Sequence, residues 1–97
     1  MSYTRVFVSE SDLPWSQFMK IFQKAAVPVL NAFKKQEVLA NWSLVQTGEH
    51  TGLLITEFDT KAKMNKYLKT MDAVRRDTSA ETGSQTWIYT GQVKASG

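Results

Sequence analysis

The 97-residue sequence contains no cysteine and only one histidine, His50. The absence of cysteine excludes disulfides, thiolate nucleophiles and cysteine-ligated metals, and one histidine cannot build the familiar zinc sites. No pair of carboxylates has a convincing spacing, and no glycine-rich phosphate loop, nucleophile elbow or metalloprotease signature occurs. We therefore expect no metal and no cofactor. His50 falls in a predicted turn, where we interpret it as solvent-exposed.

Long apolar runs are also missing, which excludes a membrane span. The start of the chain lacks the charged leader and apolar stretch of a secretory signal, so a cytoplasmic location is the default expectation. The composition, 42% hydrophobic and 22% charged, is that of an ordinary globular protein. The length predicts one domain, residues 1–97, with a core from about residue 3 to about residue 93.

The strand signals are runs of β-branched and aromatic residues bounded by turn residues. They predict four strands, at Tyr3–Ser9, Val38–Thr47, Thr51–Phe58 and Gln85–Val93. The segment between the second and third strands, residues 48–52, predicts a tight hairpin that pairs Thr47 with Gly52.

Two apolar stripes have helical spacing. The first runs from Trp15 to Phe33 in steps of three and four, and we expect one helix that Pro28 kinks near Ala26. The second follows a capping Asp59-Thr60 pair and includes Met64, Tyr67, Leu68, Met71 and Val74. Residues 78–84 predict a polar loop before the last strand.

This order of elements predicts an α+β, ferredoxin-like β-α-β-β-α-β sandwich, with a four-stranded antiparallel sheet and two helices on one face. We expect the more apolar strand faces to meet the helices: Val6, Val8, Trp42, Leu44, Leu53, Ile55 and Ile88. The opposite face would then carry Tyr3, Arg5, Phe7, Asn41, Ser43, Val45, Leu54, Thr56, Phe58, Trp87 and Tyr89. A slip of one residue in the hairpin would exchange the two sets.

The long first helix, the short hairpin and the Asp-capped second helix resemble the dimeric α/β-barrel superfamily, over nearly the whole chain from Tyr3 to Val93. Antibiotic-biosynthesis-type monooxygenases and stress-responsive barrel proteins belong to that superfamily, and no subfamily motif is present. The resemblance implies a homodimer that packs sheet against sheet around a ligand-holding interior. The haem-degrading members usually carry a histidine near the second helix and an asparagine on the first strand. This sequence has neither, which counts against haem binding.

An aromatic and polar face of this kind has the character of a ligand pocket. Arg5 could hold a carboxylate or phenolate, and Trp87 and Tyr89 could stack on a flat ligand. The candidate pocket residues are Arg5, Phe7, Asn41, Ser43, Thr56, Trp87 and Tyr89. The expected function is binding, or cofactor-independent oxidation, of a small aromatic or apolar ligand. The same residues could instead pack the dimer interface.

Two other functions share this element order. A dimerising or regulatory module with a filled interior fits the sequence equally well. RNA-recognition domains have the same order, and Val6-Phe7-Val8 matches the core of their first-strand motif. Their base-stacking positions on the third strand, however, fall on Leu53 and Ile55, which cannot stack on bases. The net charge of +3 comes largely from helical lysines, which are usually solvated, so nucleic-acid binding is not favoured.

Overall fold

The computed structural model describes residues 2–82 and 85–96, with the backbone alone for residues 72–82. Its elements are β1 (Tyr3–Glu10), α1 (Trp15–Ala25), α2 (Val27–Lys35), β2 (Asn41–Gln46), β3 (Thr51–Phe58), α3 (Lys61–Thr82) and β4 (Gln85–Gln92). The strands form one antiparallel sheet in the order β2-β3-β1-β4. The three helices pack on one face of it, which confirms the α+β ferredoxin-like fold.

The structure divides the first predicted helix into two, α1 and α2. The helix is interrupted at Ala26, where φ is −105°. Pro28 has no backbone N–H to donate to the carbonyl of Lys24, so one helical hydrogen bond is missing. Ala26, where the two helices separate, lies midway between these two residues. The ladder resumes directly, since the amide of Ala26 donates to Phe22 and that of Leu30 donates to Ala26. The apolar stripe therefore stays in phase across the break, and both helices face the core.

Helix α3 begins where the sequence predicted and ends later. The amide of Lys63 donates to the Thr60 hydroxyl at 3.2 Å, which is a side-chain N-cap. The predicted polar loop at residues 78–84 is wrong, because the helix continues to Thr82; residues 83 and 84 lie outside the described residues. The predicted burial of Val74 concerns a side chain that the structure does not describe. The second strand is shorter than predicted, and the fourth ends one residue earlier.

The core lies between the helices and one face of the sheet. Its fully buried large side chains include Leu30 on α2, Tyr67 on α3 and Phe58 on β3. Tyr67 is packed between two rings, with its centroid 5.5 Å from that of Phe33 and 5.1 Å from that of Phe58. Aromatic contacts at these separations stabilise the layer beyond the area they bury.

Among the described residues, no helix combines the length and the apolar character that crossing a bilayer requires.

Candidate functional site

The pairing of β2 with β3 differs by one residue from the predicted hairpin. Gly52 pairs with Gln46 rather than Thr47, and Leu44 pairs with Leu54. The loop causes this shift, since the amides of both Thr47 and Gly48 donate to the carbonyl of Thr51. Because side chains alternate across a strand, a shift of one residue moves every residue of β3 to the other face relative to β2.

The predicted faces are therefore wrong for β1 and β3 and right for β2 and β4. Arg5 and Thr56 pair across β1 and β3 on the helix-facing side, as do Phe7 and Leu54. The residues predicted for the open side that instead face the helices are Tyr3, Arg5, Phe7, Leu54, Thr56 and Phe58. Those predicted for the core that instead lie on the open side are Val6, Val8, Leu53 and Ile55.

The seven candidate pocket residues therefore separate into two groups. The helix-facing layer contains Arg5, Phe7 and Thr56. The opposite side contains Asn41, Ser43, Trp87 and Tyr89. No single pocket within one chain can contain both groups, because the sheet lies between them. The ligand-binding role of each group remains a prediction.

The side of the sheet away from the helices, which we call the open face, is apolar at its centre. Its two middle strands contribute four aliphatic side chains that are only partly buried: Val6, Val8, Leu53 and Ile55. On the flanking strands, Val45 is 40% exposed, Trp87 45% and Tyr89 64%. The two central strands place no aromatic side chain on this face, so the base-stacking platform of an RNA-recognition domain is missing.

On the helix-facing side, Arg5 is 3% exposed, although it carries a full positive charge. Its Cζ atom lies 5.4 Å from the ring centroid of Phe7 and 5.8 Å from that of Tyr67. Both are cation–π distances, and such contacts strengthen when the cation is desolvated. The guanidinium is therefore held in an aromatic cradle contributed by β1 and α3.

Tyr67 is fully buried, and its hydroxyl makes no hydrogen bond of good geometry. Burial raises the pKa of Tyr67 to about 12, and the charge of the nearby Arg5 and a polar contact with its side chain lower it by less. At neutral pH the hydroxyl is protonated and can donate a hydrogen bond.

Among the described side chains, the cradle is closed toward β3 and open toward β4. Arg5 pairs with the fully buried Thr56 on one side and with the exposed Thr90 on the other. Ile88, which pairs with Phe7, is 38% exposed although it faces the helices, as the sequence predicted for its side. We call the group Arg5, Phe7, Tyr67, Ile88 and Thr90 the Arg5 site. Helical spacing predicted Tyr67 only as a core residue. The signal for a further role was its polar hydroxyl within an otherwise apolar helix face.

His50 lies apart from the Arg5 site. It is exposed in the β2–β3 turn, and its carbonyl accepts a hydrogen bond from the Ser11 amide at 2.8 Å. The cleft that it lines with Ser9 and Ser11 has a volume of about 10 Å³, room for roughly one water molecule. In the described part of the chain, no three histidine, aspartate or glutamate side chains come together as a metal site would need.

Solved structures share this fold over nearly the whole chain. A dimeric ferredoxin-like protein from an uncultured marine organism is 12% identical, with a TM-score of 0.79 over 97% of this chain and 96% of that one. A variant of SnoaB, a cofactor-independent oxygenase from Streptomyces nogalater, is 11% identical, with a TM-score of 0.78 over 98% and 95%. A Deinococcus radiodurans protein, provisionally assigned as an antibiotic biosynthesis monooxygenase, is 12% identical, with a TM-score of 0.69 over 99% and 95%.

The chain shares the fold of these proteins. No protein-family model matches the sequence, and no curated protein is similar enough for a significant match. The structural likeness confirms the predicted resemblance to dimeric ferredoxin-like and monooxygenase-like proteins, with the subfamily unresolved. At these identities it shows the fold alone, so the residues of the chain must carry any statement about function.

Proposed function

We propose that this protein is a homodimer that binds one small aromatic oxyanion in each subunit, at the Arg5 site. The observation that carries the proposal is the burial of Arg5, 3% exposed, beside the rings of Phe7 and Tyr67. A guanidinium beside aromatic rings suits a planar anion, because its parallel N–H donors match the two oxygens of a carboxylate. The half-buried ring of Phe7 can also pack on a flat ligand.

The open face supports the dimer. Four partly buried aliphatic residues on the central strands, with Trp87 and Tyr89 beside them, form an apolar surface of the kind that marks an interface. A second copy brings an identical apolar surface, and a two-fold axis allows the two to cover each other. Structures of the same fold that are described as dimeric support this arrangement.

The Arg5 site also contains a hydroxyl that would orient the ligand and a side along which the ligand would enter. The protonated Tyr67 hydroxyl would donate to the same oxyanion that Arg5 binds, and this would satisfy its hydrogen-bonding capacity. The ligand would enter along β4, where Ile88 and Thr90 are exposed on the helix-facing side. The enzymatic form of the proposal is oxidation of the bound anion by dioxygen, which the shared fold with a cofactor-independent oxygenase supports. Such oxidation requires a readily oxidised ligand rather than a strong protein nucleophile.

Calorimetric titration with 2-naphthoate and its uncharged analogue 2-naphthamide tests the site. We expect the wild-type protein to bind 2-naphthoate more tightly than 2-naphthamide. Arg5→Met should weaken the binding of 2-naphthoate by about 10- to 100-fold, the usual loss for a charged hydrogen bond. The matched control is Lys20→Met, which removes an exposed charge on α1 and should bind as wild type does. If Arg5→Met fails to fold, Arg5→Lys replaces it, because this variant keeps the charge but loses the planar fork.

A dimerisation module without a ligand is the second candidate. The full burial of Thr56, Phe58 and Tyr67 favours it, since this half of the layer is already filled by side chains. A stable dimer in which wild type binds naphthoate no better than naphthamide, or in which Arg5→Met and Lys20→Met behave alike, would contradict ligand binding and leave the module as the function.

A further inference from the structure

The outer surface of the helices contains a second feature, a shallow groove between α2 and α3 that is separate from the Arg5 site. It has a volume of about 320 Å³, within the range of small-molecule sites. Most of the residues that line it are apolar. We call it the α2–α3 groove, and its lining residues are Pro28, Val29, Ala32, Phe33, Gln36 and Thr70. Ala32, Gln36 and Thr70 are exposed, so a ligand could reach it from solvent.

The charge around the groove is mainly positive, although the exposed Glu37 follows the groove-lining Gln36. Helices α1 and α2, from Trp15 to Lys35, contain four lysines and no acidic residue. The first part of α3, from Lys61 to Met71, also contains four lysines and no acidic residue. Seven of these eight lysines are exposed; the eighth, Lys63, lies 3.7 Å from Asp59. Surface lysines are often merely solvated, but these eight outnumber the flanking acids Asp59 and Glu37, which leaves an excess of positive charge beside the groove.

Two of the lysines lie next to the groove. Lys66 precedes Thr70 by four residues on α3, and Lys35 follows Ala32 by three residues on α2. Residues three or four apart on a helix are neighbours on its surface. An apolar groove with a lysine on each of its two helices, one turn from a lining residue, is complementary to a molecule with an apolar body and an acidic head. It is less suited to a purely polar polyanion such as RNA.

We propose that the α2–α3 groove binds a free anionic amphiphile, an alkyl carboxylate whose chain lies along Val29, Ala32 and Phe33 and whose head group meets Lys35 or Lys66. This site does not depend on the Arg5 site. Its affinity rests on burial of the alkyl chain, with a smaller contribution from the lysines, since exposed ion pairs are weak.

Calorimetric titration with decanoate, below the concentration at which it forms micelles, tests the proposal against uncharged 1-decanol. We expect saturable binding of decanoate and weaker binding of decanol. Ala32→Trp, which fills the groove, should abolish the binding. The double variant Lys35→Glu/Lys66→Glu should weaken it by about tenfold, the order expected for two reversed surface charges. The matched controls, Gln17→Trp and Lys20→Glu on the exposed side of α1, should bind as wild type does.

Three outcomes would overturn the proposal: no saturable binding of decanoate, undiminished binding by Ala32→Trp, or binding only to phosphatidylglycerol vesicles and not to free decanoate. The Arg5→Met variant separates the two sites, because it should lose naphthoate and keep decanoate. Loss of decanoate in Arg5→Met, with retention in Ala32→Trp, would assign the alkyl chain to the interior and contradict a groove site.

Discussion

The two faces of the sheet are both largely apolar and differ in their buried polar groups. The side under the helices contains a buried guanidinium, the buried Thr56 and a buried tyrosine hydroxyl facing it from α3, whereas the centre of the open face is aliphatic. If hydrophobic burial within one chain decided the arrangement, the aliphatic residues would lie under the helices. The difference supports the two proposals made above, that a second copy covers the open face and that the polar groups under the helices bind a ligand.

The largest expected effect is a difference in the free energy of unfolding between substitutions on the two faces. Phe58→Ala, on the helix-facing side and fully buried, should lower the free energy of unfolding by about 3–5 kcal/mol. Tyr89→Ala, on the open face and 64% exposed, should lower it by less than about 1 kcal/mol in the separated chain. Urea unfolding followed by circular dichroism, at protein concentrations where single chains predominate, measures both. Equal losses would mean that the two faces are not distinct.

The open face should fail as an interface when a charge is placed at its centre. Ile55→Lys would bury an ammonium group against the partner's aliphatic residues, so we expect the dimer dissociation constant to rise by at least about 100-fold. Ala62→Lys adds the same charge to an exposed position on α3 and should leave the dimer intact. Light scattering during size exclusion gives both masses. A dimer that tolerates Ile55→Lys would place the interface elsewhere.

High pH should weaken the layer under the helices through Tyr67. Its folded pKa is about 12, above the ordinary value of 10, so the folded state favours the protonated form. That contribution to stability is complete below pH 10 and is lost as the pH rises toward 12, by up to about 3 kcal/mol. Tyr67→Phe lacks this group, so wild type should lose more stability than the variant between pH 10 and 12 in urea unfolding. Parallel losses would show that the hydroxyl is not desolvated.

The smallest expected changes in stability come from alanine substitutions at two glycines, one on each face of the sheet. A Cβ atom at Gly52 would lie 2.7 Å from the Trp15 ring and 3.2 Å from the Val45 carbonyl oxygen, so Gly52→Ala should cost about 1–2 kcal/mol. A Cβ atom at Gly91, on the open side of β4, meets nothing within 4 Å. Gly91→Ala should therefore change stability by less than about 0.5 kcal/mol. Thermal unfolding of the two variants gives the comparison, and a reversed order would contradict the assignment of the two faces.

Local patterns predicted the order of the elements and several of their bounds. Alternation and turn residues located β3 at its observed bounds, and the Asp59-Thr60 pair located the start of α3, because these signals act between neighbouring residues. The end of α3 was missed, since its last turns are polar and lack an apolar stripe. The interruption at Ala26 was predicted as a kink in one helix. The sequence shows that Pro28 removes a helical hydrogen bond, but it does not show how far the backbone then departs from helical geometry.

The faces of the central strands could not be predicted for a different reason. Both faces of β1 and β3 are rich in apolar residues, and the expectation that the more apolar face meets the helices assumed that only one face is covered. The hairpin register, which would have decided the matter, depends on how the loop carbonyl of Thr51 is shared between two amides. Arg5 and Phe7 of the proposed Arg5 site were among the predicted pocket residues, but strand alternation placed them on the wrong face of the sheet. Tyr67 was not among them, because a tyrosine in a helical stripe has the same spacing as a core residue.

Sedimentation equilibrium of the wild-type protein tests the central claim most directly, namely that a second copy covers the open face. The account predicts a single species with twice the chain mass of 11.0 kDa, at concentrations where the Ile55→Lys variant sediments at 11.0 kDa. A wild-type protein that remains at 11.0 kDa would contradict it, because the aliphatic centre of the sheet would then face water without a partner.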